Sequence, residues 1–208
     1  MKQILVCTMI LLFSILCLMC SSGTAGSGDT IDGTDGNVAA VAMEDTVGIG
    51  TPNVREKCFI VVSKKDMKLT VYEASKKDTV MIARFDCCLG KNFGDKEKRG
   101  DMRTPESSLK KPFRIEKIEN ASWWTHDFGD GRGSIKAYGN WFMRLSSPFT
   151  GIGIHGSTNN ENTVPGRLSE GCIRLRDADI DSLKQNYAFL GMKVIIKGED
   201  EGKLSFEK

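Results

Sequence analysis

Residues 58–87, CFIVVSKKDMKLTVYEASKKDTVMIARFDC, decide the class of fold. Three short runs, CFIVVS (58–63), KLTVYEA (68–74) and TVMIARFDC (79–87), are rich in β-branched and aromatic residues. Lys/Asp-rich turns separate them, and this pattern reads as two successive β-hairpins. Further along, FRIEKI (113–118), WFMRL (141–145), GIGIHG (151–156), CIRL (172–175) and MKVIIK (192–197) continue the β series. One segment breaks it. In DADIDSLKQNYAFLG, Ile180, Leu183, Tyr187 and Leu190 recur at helical spacing. Asp177 or Asp179 can cap the start and Gly191 can end it, which predicts a helix over about 177–190. The chain is therefore expected to be mainly β, with one clear helix.

The 208 residues are 40% hydrophobic and 27% charged, ordinary globular composition for one domain with extensions. Residues 1–20, MKQILVCTMILLFSILCLMC, place one basic residue, Lys2, before an apolar run, the layout of a secretory signal. Cleavage, lipid attachment at Cys20 and a retained membrane anchor are all compatible with it. Each of them puts the remainder of the chain outside the cytoplasm. Residues 21–55, rich in Gly, Ser, Thr and Asp at their start, read as a flexible linker. A folded domain over 56–198 follows, then a polar tail over 199–208.

With 29 Lys+Arg against 27 Asp+Glu, the chain is near neutrality, and no nucleic-acid partner is expected. Of the seven cysteines, Cys58, Cys87, Cys88 and Cys172 belong to the domain. Adjacent Cys87 and Cys88 point to opposite faces of a strand, so at most one can easily bridge to Cys58; otherwise all three are core thiols. Residues 89–112, LGKNFGDKEKRGDMRTPESSLKKP, form a long loop of a length often tied to function. Its charges at Lys96, Lys98, Arg99 and Arg103 alternate with acids and read as solvated.

Only two histidines occur, His126 and His155. In GIGIHG, strand alternation sends Ile152 and Ile154 to one face and Gly151, Gly153 and His155 to the other, leaving the imidazole reachable across bare glycines. Gly156 lets the backbone turn so that a nearby carbonyl can accept the Nδ1 proton and free Nε2 as a base. The same alternation in GCIRL buries Ile173 and Leu175 and places Cys172 and Arg174 on the open face. Gly171 leaves room for a substrate backbone, and the Gly171 and Cys172 amides are candidate oxyanion donors. Arg174 favours the thiolate and suits a substrate carboxylate. Together these residues make a Cys-His dyad with supporting parts. His126, in WWTHDFGDG, reads as a packed loop residue, and Trp123, Trp124 and Trp141 as core or rim packing.

These residues resemble the L,D-transpeptidase catalytic domain (YkuD) family. Its signature is a histidine, thirteen or more residues, then Ser/Thr-His-Gly-Cys, a hydrophobic residue and Arg/Asn. His155, Gly156, Ser169, Gly171, Cys172, Ile173 and Arg174 match it, with thirteen residues between His155 and Ser169. GDMRTPE (100–106), YGNWFMRL (138–145) and GIGIHGS (151–157) extend the similarity over roughly 57–197. Glu170 stands where the signature has its second histidine, and Ser107-Ser108 where the family usually has Gly. The resemblance implies a β-sandwich of mixed sheets. It implies Cys172 as nucleophile, His155 as proton donor and acceptor, and the Gly156 carbonyl as its orienter. Gly171 becomes an oxyanion donor, with Arg174, Ser169 and Glu170 in substrate contact. For Glu170, pairing with Arg174 or Arg167, or exposure at the groove edge facing an acceptor amine, would keep its charge from silencing the thiol.

The reaction implied is acyl transfer in the bacterial cell envelope. Cys172 attacks a peptidoglycan tetrapeptide stem, D-Ala leaves, and an amine of another stem resolves the thioester into a 3-3 crosslink. Hydrolysis, giving an L,D-carboxypeptidase, and attachment of a wall protein share the same acyl-enzyme. No metal or organic cofactor is needed. Two other classes compete: a zinc peptidase using His126, His155 and a carboxylate, although the usual close ligand spacing is absent, and a non-catalytic wall-binding lipoprotein whose thiol Glu170 has disabled.

Overall fold

The computed structural model describes residues 56–207. The signal or anchor at 1–20, Cys20 and the linker lie outside the described residues. No helix among the described residues is long and apolar enough to cross a membrane.

The two hairpins form as read: β1 (Cys58–Ser63) pairs antiparallel with β2 (Lys68–Ala74), and β2 with β3 (Thr79–Asp86). They sit at one end of a ten-stranded mixed sheet. Its remaining members are β4 (Cys88–Gly90), β5 (Phe113–Asn120), β8 (Trp141–Leu145), β9 (Gly153–His155), β10 (Gly166–Ser169), β11 (Ile173–Arg174) and β12 (Lys193–Lys197). A separate small hairpin joins β6 (Thr125–Asp127) to β7 (Ser134–Lys136). The strand order is β10-β4-β11-β9-β8-β5-β12-β1-β2-β3. β5 belongs to both halves, since Phe113 and Arg114 pair with β12 while Ile115 to Asn120 pair with β8. The halves pack against each other through one core. Ile60, Val62, Leu69 and Val71 from one half meet Leu89, Met143, Ile154 and Ile173 from the other. This is the mixed β-sandwich of the expected class.

The helix, α1 (Asp177–Asn186), is shorter than the apolar spacing implied. Ile180 and Leu183 are fully buried, but Leu190 is exposed. The chain leaves the helix at Tyr187 and turns at Gly191 (φ +85°) so that Met192 enters the core ahead of β12. Neither aspartate caps the start: Arg176 occupies the N-cap without a side-chain bond, and the Asp177 carboxylate is used elsewhere. The C-terminal segment, expected as a polar tail, packs instead. Phe206 meets Phe59 and Tyr72 edge-on at 5.5 and 5.1 Å, over the face of β1 that points away from the main core. No disulfide joins Cys58, Cys87 and Cys88; all three are buried in strands or between them.

Lys64, in the turn after β1, is fully buried. Its ammonium reaches Gly94 O (2.6 Å), Thr104 O (3.2 Å), Glu106 Oε1 (2.7 Å) and Glu199 Oε2 (3.3 Å). The long loop is thereby tied to the end of the sheet. An ammonium without water must be matched by acceptors, and removing one partner of such a group is costly. Lys64→Met is expected to lower unfolding free energy by about 3 kcal/mol, because Glu106 and Glu199 lose their cation. Urea unfolding checks this; a change below about 0.5 kcal/mol would mean that the network is not structural.

Candidate active site

His155 ends β9 and Arg174 ends β11. The parallel register sets Arg174 beside His155 and Ile173 beside Ile154, so alternation puts the two polar side chains on one face. Ile152, Ile154, Ile173 and Leu175 are buried on the other, as their spacing implied. Cys172 immediately precedes β11. Cys172, His155 and Arg174 line a single cavity of about 420 Å³.

The space in front of His155 is not open. Phe142, its cross-strand partner on β8, occupies the room left by Gly153: a Cβ there would lie 2.4 Å from the ring. Phe142 stacks on the imidazole at 5.4 Å and 11°, and Tyr138 adds a tilted ring at 4.8 Å. Nδ1 lies 2.6 Å from Gly156 O; a carbonyl only accepts, so Nδ1 carries the proton and Nε2 is unprotonated. Burial, reinforced by the Arg174 charge, pushes the His155 pKa down to about 3 against the opposing Gly156 bond.

Gly156 is itself held in place. Its N–H donates to Tyr138 O (2.8 Å), while the Asp177 carboxylate accepts from Ser157 N–H (2.7 Å) and from the Thr158 hydroxyl. A Cβ on Gly156 would lie 2.5 Å from Asp177 Oδ1 and 2.6 Å from Gly139 Cα. Asp177, expected to cap the helix, instead fixes the turn that aims the carbonyl at His155.

Cys172 Sγ lies 3.2 Å from Gly151 O, which the thiol proton can reach. Burial raises the thiol pKa, and Glu170 adds to the rise; the Gly153 amide, Arg174 and Lys96 oppose it. The turn before the cysteine is closed by Ser169, whose hydroxyl donates to Cys172 O (2.6 Å) and accepts from Gly171 N–H (3.1 Å). Ser169 is fully buried, and its hydroxyl is engaged within the turn at the cavity wall. The Gly171 N–H is likewise engaged. Its φ of +133° and a Cβ position 2.7 Å from Arg103 O show that the glycine makes room for the long loop.

Glu170 pairs with neither arginine considered for it. Arg167 reaches Glu199 (2.7 Å), and the Arg174 guanidinium lies over the Phe128 ring at 5.0 Å. Glu170 Oε1 instead lies 3.4 Å from His126 Nε2, at the mouth of the cavity. His126, read as loop packing, therefore lines the site, and so does Trp124, whereas Trp123 is exposed and Trp141 packs on the core. Lys96 is a second residue that the sequence reading misplaced. It is 7% exposed, lines the cavity, and pairs with Asp101 at 2.6 Å. Among the described residues no group of three or more His, Cys, Asp or Glu side chains is placed to hold a metal ion.

Residues 58–196 match the family model of the L,D-transpeptidase catalytic domain (YkuD), and the chain belongs to that family. Comparison with curated proteins finds no match. Among solved structures the chain is similar to Bd1075 from Bdellovibrio bacteriovorus, at 20% identity and TM-score 0.47, over 71% of this chain and 50% of that one. An L,D-transpeptidase from Mycobacterium smegmatis is similar at 15% identity and TM-score 0.49, over 68% and 59%. The helical cell shape determining protein Pgp2 from Campylobacter jejuni gives 20% identity and 0.47, over 69% and 48%. This chain spans 48% to 59% of the length of these three.

The depressed His155 pKa has a consequence for stability. An imidazole that titrates near 6.5 when unfolded and about 3 when folded contributes stability that is full above pH 6.5 and is lost as pH falls towards 3. Burial makes this a contribution of a few kcal/mol. His155→Gln should flatten the decline of Tm with falling pH across that window; an unchanged decline would show that His155 is not the group responsible. For the raised thiol, alkylation of Cys172 by iodoacetamide should still be rising at pH 9, and a plateau below pH 7 would show a preformed thiolate.

Proposed function

We propose that the chain is an exported, cysteine-dependent peptidoglycan L,D-transpeptidase of the bacterial cell envelope. The observation that carries this reading is the convergence of Cys172, His155 and Arg174 on one cavity, with His155 Nδ1 engaged by Gly156 O, in a chain of this family.

Cys172 attacks the carbonyl of the diaminoacid in a tetrapeptide stem, and His155 Nε2 takes the thiol proton. With the imidazole resisting charge and the thiol retaining its proton, the transfer accompanies the attack rather than preceding it. The Cys172 amide is the remaining backbone donor of the expected pair for the developing oxyanion. Arg174 Nε is buried without a hydrogen-bond partner, which supports an anionic ligand such as a stem carboxylate at this guanidinium. His155 then returns the proton to the departing amine of D-Ala. The thioester is resolved by an amine of a second stem, giving a 3-3 crosslink, or by water, giving a carboxypeptidase. Attachment of a wall protein would use the same intermediate.

Incubation with a disaccharide-tetrapeptide, followed by mass analysis of protein and products, tests the reading. The expected result is a thioester adduct on Cys172, release of D-Ala and formation of dimer, with Cys172→Ala reducing all three to background. Tripeptide without dimer would assign hydrolysis. No adduct and no product would favour a wall-binding protein without catalysis, and product from Cys172→Ala would remove the cysteine from the mechanism.

A further inference from the structure

The cavity has an uneven charge. Lys96, Arg99, Arg144 and Arg174 line it; Lys96 is paired with Asp101 and Arg144 with Glu119 behind the wall, which leaves Arg99 and Arg174, and Glu170 is the single lining carboxylate among the described residues. Glu170 precedes the nucleophile by two residues in sequence, is exposed, and has His126 from the β6–β7 hairpin at 3.4 Å. The cationic stretch suits the carboxylates of a donor stem. It repels a primary amine, which arrives at neutral pH as an ammonium. Only at Glu170 does the lining offer that ammonium an opposite charge.

We infer that Glu170 and His126 form the acceptor side of this site, binding a primary ammonium and removing the proton that keeps it from attacking. This rests on the acyl-transfer reading above. His155 is poorly suited to the task, being 3% exposed and resistant to charge, whereas His126 stands at the mouth. The ammonium docks on the Glu170 carboxylate and gives one proton to His126, which releases it to solvent. The free amine adds to the thioester carbonyl, the C–S bond breaks and an amide C–N bond forms. The second amine proton passes through His155 to the departing Cys172 sulfur, restoring the thiol. Glu170 thus takes the place of the signature's second histidine as an acceptor ligand, with His126 supplying an imidazole from another part of the chain.

The test compares two nucleophiles on one acyl-enzyme. The full chain and its His126→Gln and Glu170→Gln variants are given disaccharide-tetrapeptide, whose own stem amine is the ammonium acceptor, in the presence of hydroxylamine, which is uncharged at neutral pH. The readout is the ratio of crosslinked dimer to hydroxamate. It should fall roughly tenfold or more in either variant, because hydroxylamine needs neither the carboxylate nor the base. An unchanged ratio in both variants overturns the inference while the acyl-transfer reading stands. The same holds if the wild type forms the thioester but passes it only to water and hydroxylamine. If no thioester forms on the wild type, the acyl-transfer reading fails and this inference with it.

Discussion

The buried ammonium of Lys64 is the constraint on which the site depends. A lysine with no access to water is tolerated only if acceptors converge on it, and these come from four places: Gly94, Thr104, Glu106 and Glu199. Glu199 is shared with Arg167 on β10. One charge thus joins the end of β1, both ends of the loop and the segment after β12. The loop held this way carries Lys96, Arg99 and Met102 to the cavity wall and sets the Arg103 carbonyl against Gly171. The conformation of the cysteine turn is therefore fixed partly by a lysine on a different half of the sheet. Asp101 stiffens the same loop: burial raises its carboxyl pKa, but Lys96 and the amides of Lys98, Glu97 and Arg103 hold it well below the ordinary carboxylate range.

A second constraint acts at the imidazole. Phe142 and Tyr138 exclude water from His155, and the exclusion favours the neutral ring that a base must be. The same burial favours the protonated thiol. Both shifts therefore favour the uncharged members of the pair. Arg174 makes the imidazolium harder to form and the thiolate easier, so its net effect on the pair is smaller than its effect on either member.

The strands, their alternation and the face that His155 and Arg174 take were legible because each is a local property. Period 2 alone puts Ile154 and Ile173 on the core face and His155 and Arg174 on the other face of their strands, and the β9–β11 register then sets those two side by side. What the sequence could not carry is who lies opposite whom. Gly153 looks like empty space until β8 is known to set Phe142 against it. Lys64 and Lys96 look solvated because they lie among other charged residues, and their burial depends on acceptors thirty or more residues away for Lys64 and on loop closure for Lys96. Asp177 has the right position to cap a helix, but a closer claim on its oxygens comes from Ser157 and Thr158. For the C-terminal segment, Leu204 and the aromatic Phe206 were the available signals against a purely polar tail, and Phe59 and Tyr72 complete the cluster.

Glu170 is a charge two residues from the thiol of Cys172. A carboxylate there raises the thiol pKa, yet it stands behind two opposing influences, the Gly153 amide and Arg174, with Lys96 adding a smaller one in the same direction as theirs. Geometry explains the order. Gly171 lies between the two residues in a left-handed conformation, Ser169 locks the turn from within, and the Glu170 side chain is directed outward, 44% exposed, where solvent screens its field. Arg174 is 5% exposed, so it acts through a medium that screens little. The carboxylate therefore acts weakly on the thiol of Cys172 while staying accessible to groups that enter from solution. A carboxylate carried on an outward-facing turn residue can thus select what approaches the cysteine without disabling it.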